Sequence, residues 1–302
     1  MALFIIFFAA ILAACSNFFL KKNQDHEGSP RAFLVNYYLF SLVFSILLTP
    51  SIFHTPWNPN LSMIGGIAGI LNVFMMGFTA LALFTGPPGL TFAFQNAGAV
   101  LPAFLLYFLF GPFYDFIITP YHLIGTTVVV IGLFLGARTK QPTSDVVFQF
   151  KKWIFFAIGI FILQGVILSM FQWRCLLFLP QSPAHPLIPF NAPREQDVWF
   201  IPGFFTVALL FQVCLFVFRE KRWMTKREFF YGGMGGVFNA VITFCLLLGT
   251  KMAAGSQKAV LFPFFAVSII FFCSVWGRLL YKENVNWLAI ILCIFGVFFS
   301  LL

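Results

Sequence analysis

Long apolar runs separated by short polar segments make up most of this chain of 302 residues. Each run approaches the roughly 20 apolar residues that an α-helix needs to cross a bilayer core. The runs are continuous and do not alternate, which favours helices over the strands of a β-barrel. We expect an all-α membrane protein with ten transmembrane helices, at 2–20, 32–53, 61–84, 89–110, 119–137, 153–172, 199–218, 229–250, 256–277 and 285–302.

The composition agrees with this pattern. The chain is 61% hydrophobic and only 9% charged, whereas soluble domains carry about 25% charged residues. Every Asp and Glu falls between the runs, and the Trp residues lie near run ends, where an amphipathic ring suits the membrane interface. We therefore expect a multi-pass protein of the inner (cytoplasmic) membrane, with the lipid bilayer as a partner.

Lys and Arg are distributed unevenly over the connections between the runs. The odd-numbered connections hold Lys21, Lys22, Arg31, Arg138, Lys140, Lys151, Lys152, Arg219, Lys221, Arg222, Lys226, Arg227, Arg278 and Lys282. The even-numbered connections hold only Arg174, Arg194 and Lys251. By the positive-inside rule the odd connections are cytoplasmic, so both termini are expected outside. No basic face alternates with exposed aromatic residues, so a nucleic-acid partner is not expected.

The connections also suggest a division into two halves. Residues 1–137 would form the first five-helix repeat, 138–152 a basic cytoplasmic linker, and 153–302 the second five-helix repeat. Within the second half, 180–198 is a Pro-rich segment expected as an outside loop.

A short motif occurs once in each half. Residues 65–72 are GGIAGILN and residues 232–239 are GGMGGVFN, on the third predicted helix of each half. Because each half has an odd number of spans, the second copy must cross the membrane in the opposite direction. The pattern predicts two inverted five-helix repeats, an architecture typical of secondary transporters.

The likeness between the halves continues after the motif, and here the chain resembles a known family. The segments GPPGLTFAFQNAGAVLPAFLLYFLFG (86–111) and AAGSQKAVLFPFFAVSIIFFCSVWGRLLYKENVNWLAIILCIFGV (253–297) resemble ten-helix, EamA-like members of the drug/metabolite transporter superfamily. One departure is Pro112 after Gly111, where many members carry an acidic residue. The resemblance implies a substrate cavity between the halves, lined by the third, fourth, eighth and ninth helices among others.

The motif has two physical interpretations. Gly65, Gly69 and Asn72 share one helix face, as do the three equivalent residues of the second copy. The glycines allow a neighbouring helix to approach closely, and the amide supplies a polar contact at that interface. The amides could serve only to hold helices together, or they could contact substrate near the bilayer midplane.

Few other polar side chains lie within the runs. Those selected as candidate substrate contacts, together with the two motif amides, are Asn17, Asn72, Gln95, Asn96, Gln164, Asn239, Gln257 and Lys258. Lys258 lies three residues into the ninth helix, where it could extend to the interface or pair with a carboxylate or phosphate of the substrate. Sugar-nucleotide and organophosphate members of the superfamily have a Lys early in this helix, and GSQK at 255–258 resembles that pattern loosely.

These features predict a secondary transporter that moves a small organic metabolite by alternating access. No acidic residue lies inside a run, so exchange or facilitated diffusion is favoured over proton-driven export. Aromatic residues make up 20% of the chain, and such rings can stack on a planar ligand or attract a cation. With Lys258 as anion partner, the expected substrate has a planar ring plus a carboxylate or phosphate, similar to S-adenosylmethionine, a nucleotide or an aromatic amino acid.

Other functions are less well supported. An enzyme is not expected, because no His, Asp, Glu and Cys constellation marks a reaction centre, and the scattered cysteines suggest no metal site, cofactor or disulfide framework. A non-transporting scaffold or receptor is the main alternative. The LAAC at 12–15 resembles a lipoprotein cleavage box, but no basic side chain precedes it. We expect a monomer or a homodimer.

Overall fold

The computed structural model describes residues 1–86, 88–110, 118–137, 149–178, 194–253, 257–281 and 286–299. Among these residues the secondary structure consists of α- and 3-10 helices and includes no strand. The α-helices are α1 (Ala2–Asp25), α2 (Pro30–Leu48), α3 (Pro59–Thr85), α4 (Pro88–Ala97), α5 (Leu101–Phe110), α6 (Pro120–Ala137), α7 (Phe150–Trp173), α8 (Phe200–Glu220), α9 (Lys226–Met252), α10 (Gln257–Tyr281) and α11 (Trp287–Phe299).

Within this part of the chain, seven helical segments are long and apolar enough to cross a membrane: Ala2–Asp25, Pro30–Leu48, Pro59–Thr85, Phe150–Trp173, Glu195–Glu220, Lys226–Met252 and Val260–Leu280. Shorter apolar segments are Phe94–Leu109, Pro120–Gly132 and Trp287–Gly296. These lengths and compositions fit an all-α, multi-pass membrane protein.

Two apolar runs that looked continuous in the sequence are interrupted by 3-10 helix. The run 32–53 is divided after Leu48, and Pro50–Phe53 forms a separate 3-10 turn, because a residue before proline disfavours the helical backbone. In the run 89–110, Gly98–Val100 separates α4 from α5. Pro102 has no amide hydrogen to donate to the Gly98 carbonyl, which accounts for the break there.

The structure also refines the two expected connections. The last three residues of the linker expected at 138–152 belong to α7, which begins at Phe150, and 138–148 lie outside the described residues. Of the Pro-rich loop expected at 180–198, residues 180–193 likewise lie outside them, and Arg194–Trp199 forms a 3-10 helix leading into α8.

Helix termini gather at two opposite ends of the bundle, which we name after one acidic residue in each. At the Glu228 end, the turn before α2 meets the start of α9, where the Ser29 amide donates to Glu228 Oε1 at 2.7 Å. At the Asp197 end, the turn before α3 meets the start of α8, where Trp199 Nε1 donates to the Pro56 carbonyl at 2.9 Å. The odd-numbered connections at 21–31 and 219–227 thus lie together at the Glu228 end.

Helices from the first part of the chain pack mainly on helices from the second part. Helix α3 packs on α7 and α8, while α9 packs on α1 and α2. Helix α4 packs on α7 and α10, and α10 packs on α1 and α4. Helix α2 contacts α8, and α6 pairs with α11 beside the main bundle. Most interfaces therefore join an early helix of the chain to a late one.

The motif glycines lie at two of these interfaces. A Cβ atom added at Gly65 or Gly69 of α3 would overlap a backbone carbonyl oxygen of α8. At Gly232 or Gly236 of α9, it would overlap a backbone carbonyl oxygen of α2. The overlapped carbonyls belong to Phe200, Phe204, Phe33 and Tyr37, respectively. Both motif copies thus allow the close backbone approach that the sequence analysis expected at their glycines.

Candidate functional site: a central amide-lined cavity

A cavity with about 730 Å³ of empty space, part of it open to solvent, lies among the long helices. Its lining comes from α1, α2, α3, α4, α7, α8, α9 and α10. Six of the eight candidate substrate contacts face this one cavity: Asn17, Asn72, Gln95, Asn96, Gln164 and Asn239. They come from five different helices, so the fold brings together amides that are far apart in the chain.

The other two candidates lie elsewhere. Gln257 and Lys258 are the first two residues of α10, and neither belongs to the described lining of the cavity. Gln257 is exposed. The carbonyl of Lys258 accepts a hydrogen bond from Gln172 Nε2 of α7 at 3.1 Å. The structure therefore separates the candidate cation from the candidate amides.

Asn72 is oriented by a buried tyrosine of α2. The Tyr38 hydroxyl, which is inaccessible to solvent, donates to Asn72 Oδ1 at 2.7 Å. This contact uses the amide oxygen and leaves the Nδ2 hydrogens of Asn72 for the cavity. Asn72 can therefore act as a hydrogen-bond donor to a ligand.

Asn239 is oriented by a serine of the same helix α2. Asn239 Nδ2 donates to Ser41 Oγ at 3.0 Å. The Ser41 hydroxyl lies within hydrogen-bond distance of the carbonyls of Tyr37, at 2.7 Å, and Gly236, at 3.0 Å. Because Asn239 uses its amide nitrogen for this contact, its Oδ1 remains available as an acceptor.

The α4 amides also present oxygen. Asn96 Nδ2 donates to the Phe92 carbonyl at 2.7 Å, one turn earlier in α4, which leaves Oδ1. Gln95 Oε1 is buried and has no hydrogen-bond partner. A buried, unpartnered acceptor costs roughly 1–3 kcal/mol, so a ligand donor that reaches Gln95 would recover that free energy.

The remaining lining combines hydroxyls with apolar surface. The hydroxyl groups belong to Ser16, Tyr37 and Thr243, and the larger apolar side chains to Met75, Met76, Phe171, Phe204 and Phe265, with aliphatic residues between them. Ser16 was not among the candidates selected from the sequence. Tyr37, Thr243 and the specific Phe residues carried no sequence signal that distinguishes them from packing residues.

The described lining contains neutral side chains throughout. None of the residues that face the cavity in the described part of the chain is Asp, Glu, Lys, Arg or His. Charged groups are instead concentrated at the two ends of the bundle.

At the Asp197 end, a buried ion cluster joins three segments. Arg174 is 0% and Asp197 2% exposed, and Arg174 Nε lies 2.5 Å from Asp197 Oδ1. Lys251, at the end of α9, also forms an ion pair with Asp197. The Arg174 guanidinium lies over the buried Phe200 ring, 5.1 Å from its centroid. Sequence analysis placed these charges in loops and did not predict their burial or pairing.

At the Glu228 end, a second cluster joins α2 and α8 to α9. Glu228 accepts hydrogen bonds from the amides of Ser29, at 2.7 Å, and Thr225, at 2.8 Å. Arg222 donates to the same carboxylate through Nη1 at 3.0 Å and Nη2 at 2.5 Å. The hydrogen bond with Glu228 raises the pKa of Arg222, so the guanidinium stays charged at physiological pH. Thr225 and Glu228 also form a capping box that begins α9.

The described residues hold no group of three or more His, Cys, Asp or Glu side chains arranged to bind a metal ion. No disulfide bond joins the cysteines of the described residues, which are Cys15, Cys175, Cys214, Cys245, Cys273 and Cys293.

Comparison with known proteins adds information on the fold alone. No family model matches the chain, and no curated protein matches it. Among solved structures, 26 chains match. One of them, described only as a crystal structure of a protein, aligns with a TM-score of 0.66 at 14% sequence identity, covering 99% of this chain and 94% of the other. The overall arrangement of helices therefore occurs in a protein of solved structure.

Proposed function

We propose that the protein is a secondary transporter that carries a small organic molecule through its central cavity by alternating access. The observation that carries this proposal is the convergence of six amide side chains from both halves of the chain on one cavity. Polar groups within apolar helices are costly unless they find partners, and in transporters such groups mark the substrate path.

Ten spans arranged as two inverted repeats are part of the proposal. The three shorter apolar segments would complete the ten, with α4 and α5 together forming one span. Under exchange of the halves, α1, α2, α3 and α4 correspond to α7, α8, α9 and α10, and α6 corresponds to α11. The packing pairs are consistent with this exchange, because α3 with α7 corresponds to α9 with α1, and α3 with α8 to α9 with α2. The cavity is lined by the four corresponding helices of each half.

This architecture is consistent with the resemblance to the drug/metabolite transporter superfamily, which we carry forward as part of the proposal. The protein would lie in the inner membrane of the cell. Its Glu228 end would face the cytoplasm, because basic residues are concentrated at that end, and both termini would lie outside. At the opposite end, the described Arg174 and Lys251 are both paired with Asp197.

The burial pattern favours a state that is closed at the Asp197 end. There Arg174, Phe200 and Phe205 are inaccessible to solvent and Phe204 is nearly so. Towards the Glu228 end, the aromatic residues Phe19, Tyr231 and Phe238 are only partly buried. We propose that the cavity in this state communicates with the cytoplasm and that opening the Asp197 end exposes it to the other side.

The substrate would contact the amides and the aromatic side chains, and the planar ring expected from the sequence suits that lining. The carboxylate or phosphate in the same expectation depended on Lys258, and the described cavity gives that part no support. The described lining also has no carboxylate or imidazole to carry a proton, so we propose exchange or facilitated diffusion rather than proton coupling.

A non-transporting receptor or scaffold remains the main alternative, and accessibility distinguishes it from a carrier. In a variant without native cysteines, Ser16→Cys places a thiol on the cavity wall. A carrier exposes this thiol to each side in turn, so a membrane-impermeant maleimide should label it in intact cells and also in inside-out vesicles. Labelling from only one side would contradict alternating access. Ala14→Cys is the matched control, because Ala14 is buried outside the described cavity lining and should be labelled from neither side.

A further inference from the structure

We infer that the cavity selects an uncharged planar heterocycle with several N–H or O–H donors, which is the chemistry of a nucleobase or nucleoside. This inference rests on the proposed transport function and names the substrate class of the same cavity. Three properties of the lining lead to it: its charge, the direction of its hydrogen bonds and its apolar walls.

The charge of the described lining disfavours ions. Its side chains are neutral, while Arg174 and Lys251 are held by Asp197 at one end of the bundle and Arg222 by Glu228 at the other. A phosphate or carboxylate entering the cavity would lose hydration without meeting a cation, and an organic cation would meet no carboxylate. Burying an unpaired ion in this way is strongly unfavourable. A neutral ligand avoids that cost.

The hydrogen-bond directions favour a ligand rich in donors. Asn239 and Asn96 each donate one amide N–H to a partner within the protein, and Oδ1 of each remains an acceptor for the cavity. Gln95 Oε1 is a buried acceptor without a partner. Asn72 has the opposite orientation, because its oxygen is held by Tyr38 and its nitrogen is left for the cavity. Of the six amides in the lining, Asn239, Asn96 and Gln95 thus offer acceptor oxygens and Asn72 offers amide N–H groups. This suits the edge of a heterocycle with N–H groups and a ring nitrogen or carbonyl.

The apolar walls suit a flat ring. Phe171, Phe204 and Phe265 come from three helices and face the same space, together with Met75 and Met76 of α3. The Phe171 and Phe204 rings are 5.8 Å apart and nearly perpendicular at 85°, so one can present a face while the other presents an edge. Aromatic faces and methionine sulfur both interact favourably with aromatic ligands.

Three probes that share the adenine ring system test how the charge of the ligand affects binding. They are adenosine, which is neutral, adenosine 5′-monophosphate, which is anionic, and 1-methyladenosine, which is cationic at neutral pH. Binding is measured as the rise in melting temperature of the purified full-length protein. Transport is measured as counterflow of labelled probe into proteoliposomes. We expect adenosine to bind and exchange, with the two charged probes at least about tenfold weaker. Equal or tighter binding of either charged probe, or no binding of adenosine, would overturn the inference.

The two measurements separate this inference from the proposed function. If adenosine binds but no probe exchanges, the proposed transport function is contradicted and the inferred ligand class is supported. If adenosine does not bind but a broader panel reveals counterflow of another metabolite, transport stands and the ligand class is wrong.

Variants connect the ligand to the cavity. Gln95→Leu removes the unpartnered acceptor and should weaken adenosine binding by about tenfold. Gln149→Leu is the control, since this exposed amide precedes α7 outside the described lining. Should Gln95→Leu fail to fold, Gln95→Glu gives a second test. Its carboxylate should shift preference towards 1-methyladenosine, and an unchanged ranking of the three probes would contradict the assigned position of Gln95.

Discussion

Asp197 Oδ1 lies 2.5 Å from Arg174 Nε, and both side chains are almost completely buried at one end of the helical bundle. The two residues are 23 positions apart. Arg174 immediately follows α7, and Asp197 lies in the 3-10 turn that leads into α8. The pair therefore holds two consecutive long helices together at the Asp197 end, and Lys251 adds α9 to the same cluster.

Removing the carboxylate of this cluster should destabilise the protein. Asp197→Asn leaves Arg174 buried with no anionic partner, which typically costs about 3–5 kcal/mol. We expect a clear fall in melting temperature for the variant purified in detergent. Asp25→Asn is the matched control, because Asp25 pairs with Lys21 on a more exposed helix surface, where an ion pair contributes roughly 0–1 kcal/mol. Similar shifts for both variants would show that burial of the Asp197 pair has little energetic consequence.

A side chain at Gly69, in the first motif copy, should lower the stability of the protein. In Gly69→Ala the new Cβ atom would overlap the Phe204 carbonyl oxygen, so α3 and α8 must move apart. Overpacking of this kind costs about 1–3 kcal/mol. Gly77 lies on the same helix with nothing within 4 Å of an added Cβ atom, and Gly77→Ala should be neutral or slightly stabilising, since Ala favours helix over Gly by roughly 1 kcal/mol.

The comparison of these two variants is made by thermal unfolding in the same detergent. Equal stability of Gly69→Ala and Gly77→Ala would mean that the close approach of α3 to α8 is not required. The second motif copy provides an independent repetition, because Gly236→Ala would place a Cβ atom against the Tyr37 carbonyl of α2. The proposed inverted arrangement predicts similar losses at Gly69 and Gly236.

Sequence analysis located the helices because crossing a bilayer requires long apolar runs. It also selected the amides, because few other polar side chains lie within those runs. Gln95 and Asn239, which are far apart in the chain, face one cavity in the structure.

The remaining features depend on how helices are rotated and packed, which one sequence does not specify. Tyr38 orients Asn72 because of the rotation of α2 relative to α3. Asp197 meets Arg174 and Lys251 through three separate segments. With 46 Phe residues in the chain, composition could not distinguish the rings that face the cavity from those that face lipid. Lys258 was selected by its place within an apolar run, and the structure shows that the described cavity lies elsewhere.

The hydroxyl of Tyr38 should influence transport by orienting Asn72. Tyr38→Phe removes the hydrogen bond to Asn72 Oδ1, which should lower stability by only about 0.5–1.5 kcal/mol. The freed amide can then rotate, so we expect a higher KM for the transported substrate with a smaller change in maximal rate. Tyr121→Phe is the control, because Tyr121 is exposed on α6. A normal KM for Tyr38→Phe would show that the orientation of Asn72 does not contribute to binding.

The direction of the protein in the membrane can be tested at two exposed tryptophans. Trp223 lies between α8 and α9 near the Glu228 end, and Trp57 lies between α2 and α3 at the Asp197 end; they are 94% and 65% exposed. The excess of basic residues predicts that the Glu228 end is cytoplasmic. In a variant without native cysteines, an impermeant maleimide should therefore label Trp57→Cys in intact cells, and Trp223→Cys only after the membrane is permeabilised. The reverse pattern would place both termini in the cytoplasm, and labelling of both sites in intact cells would contradict the assignment of these connections to opposite sides.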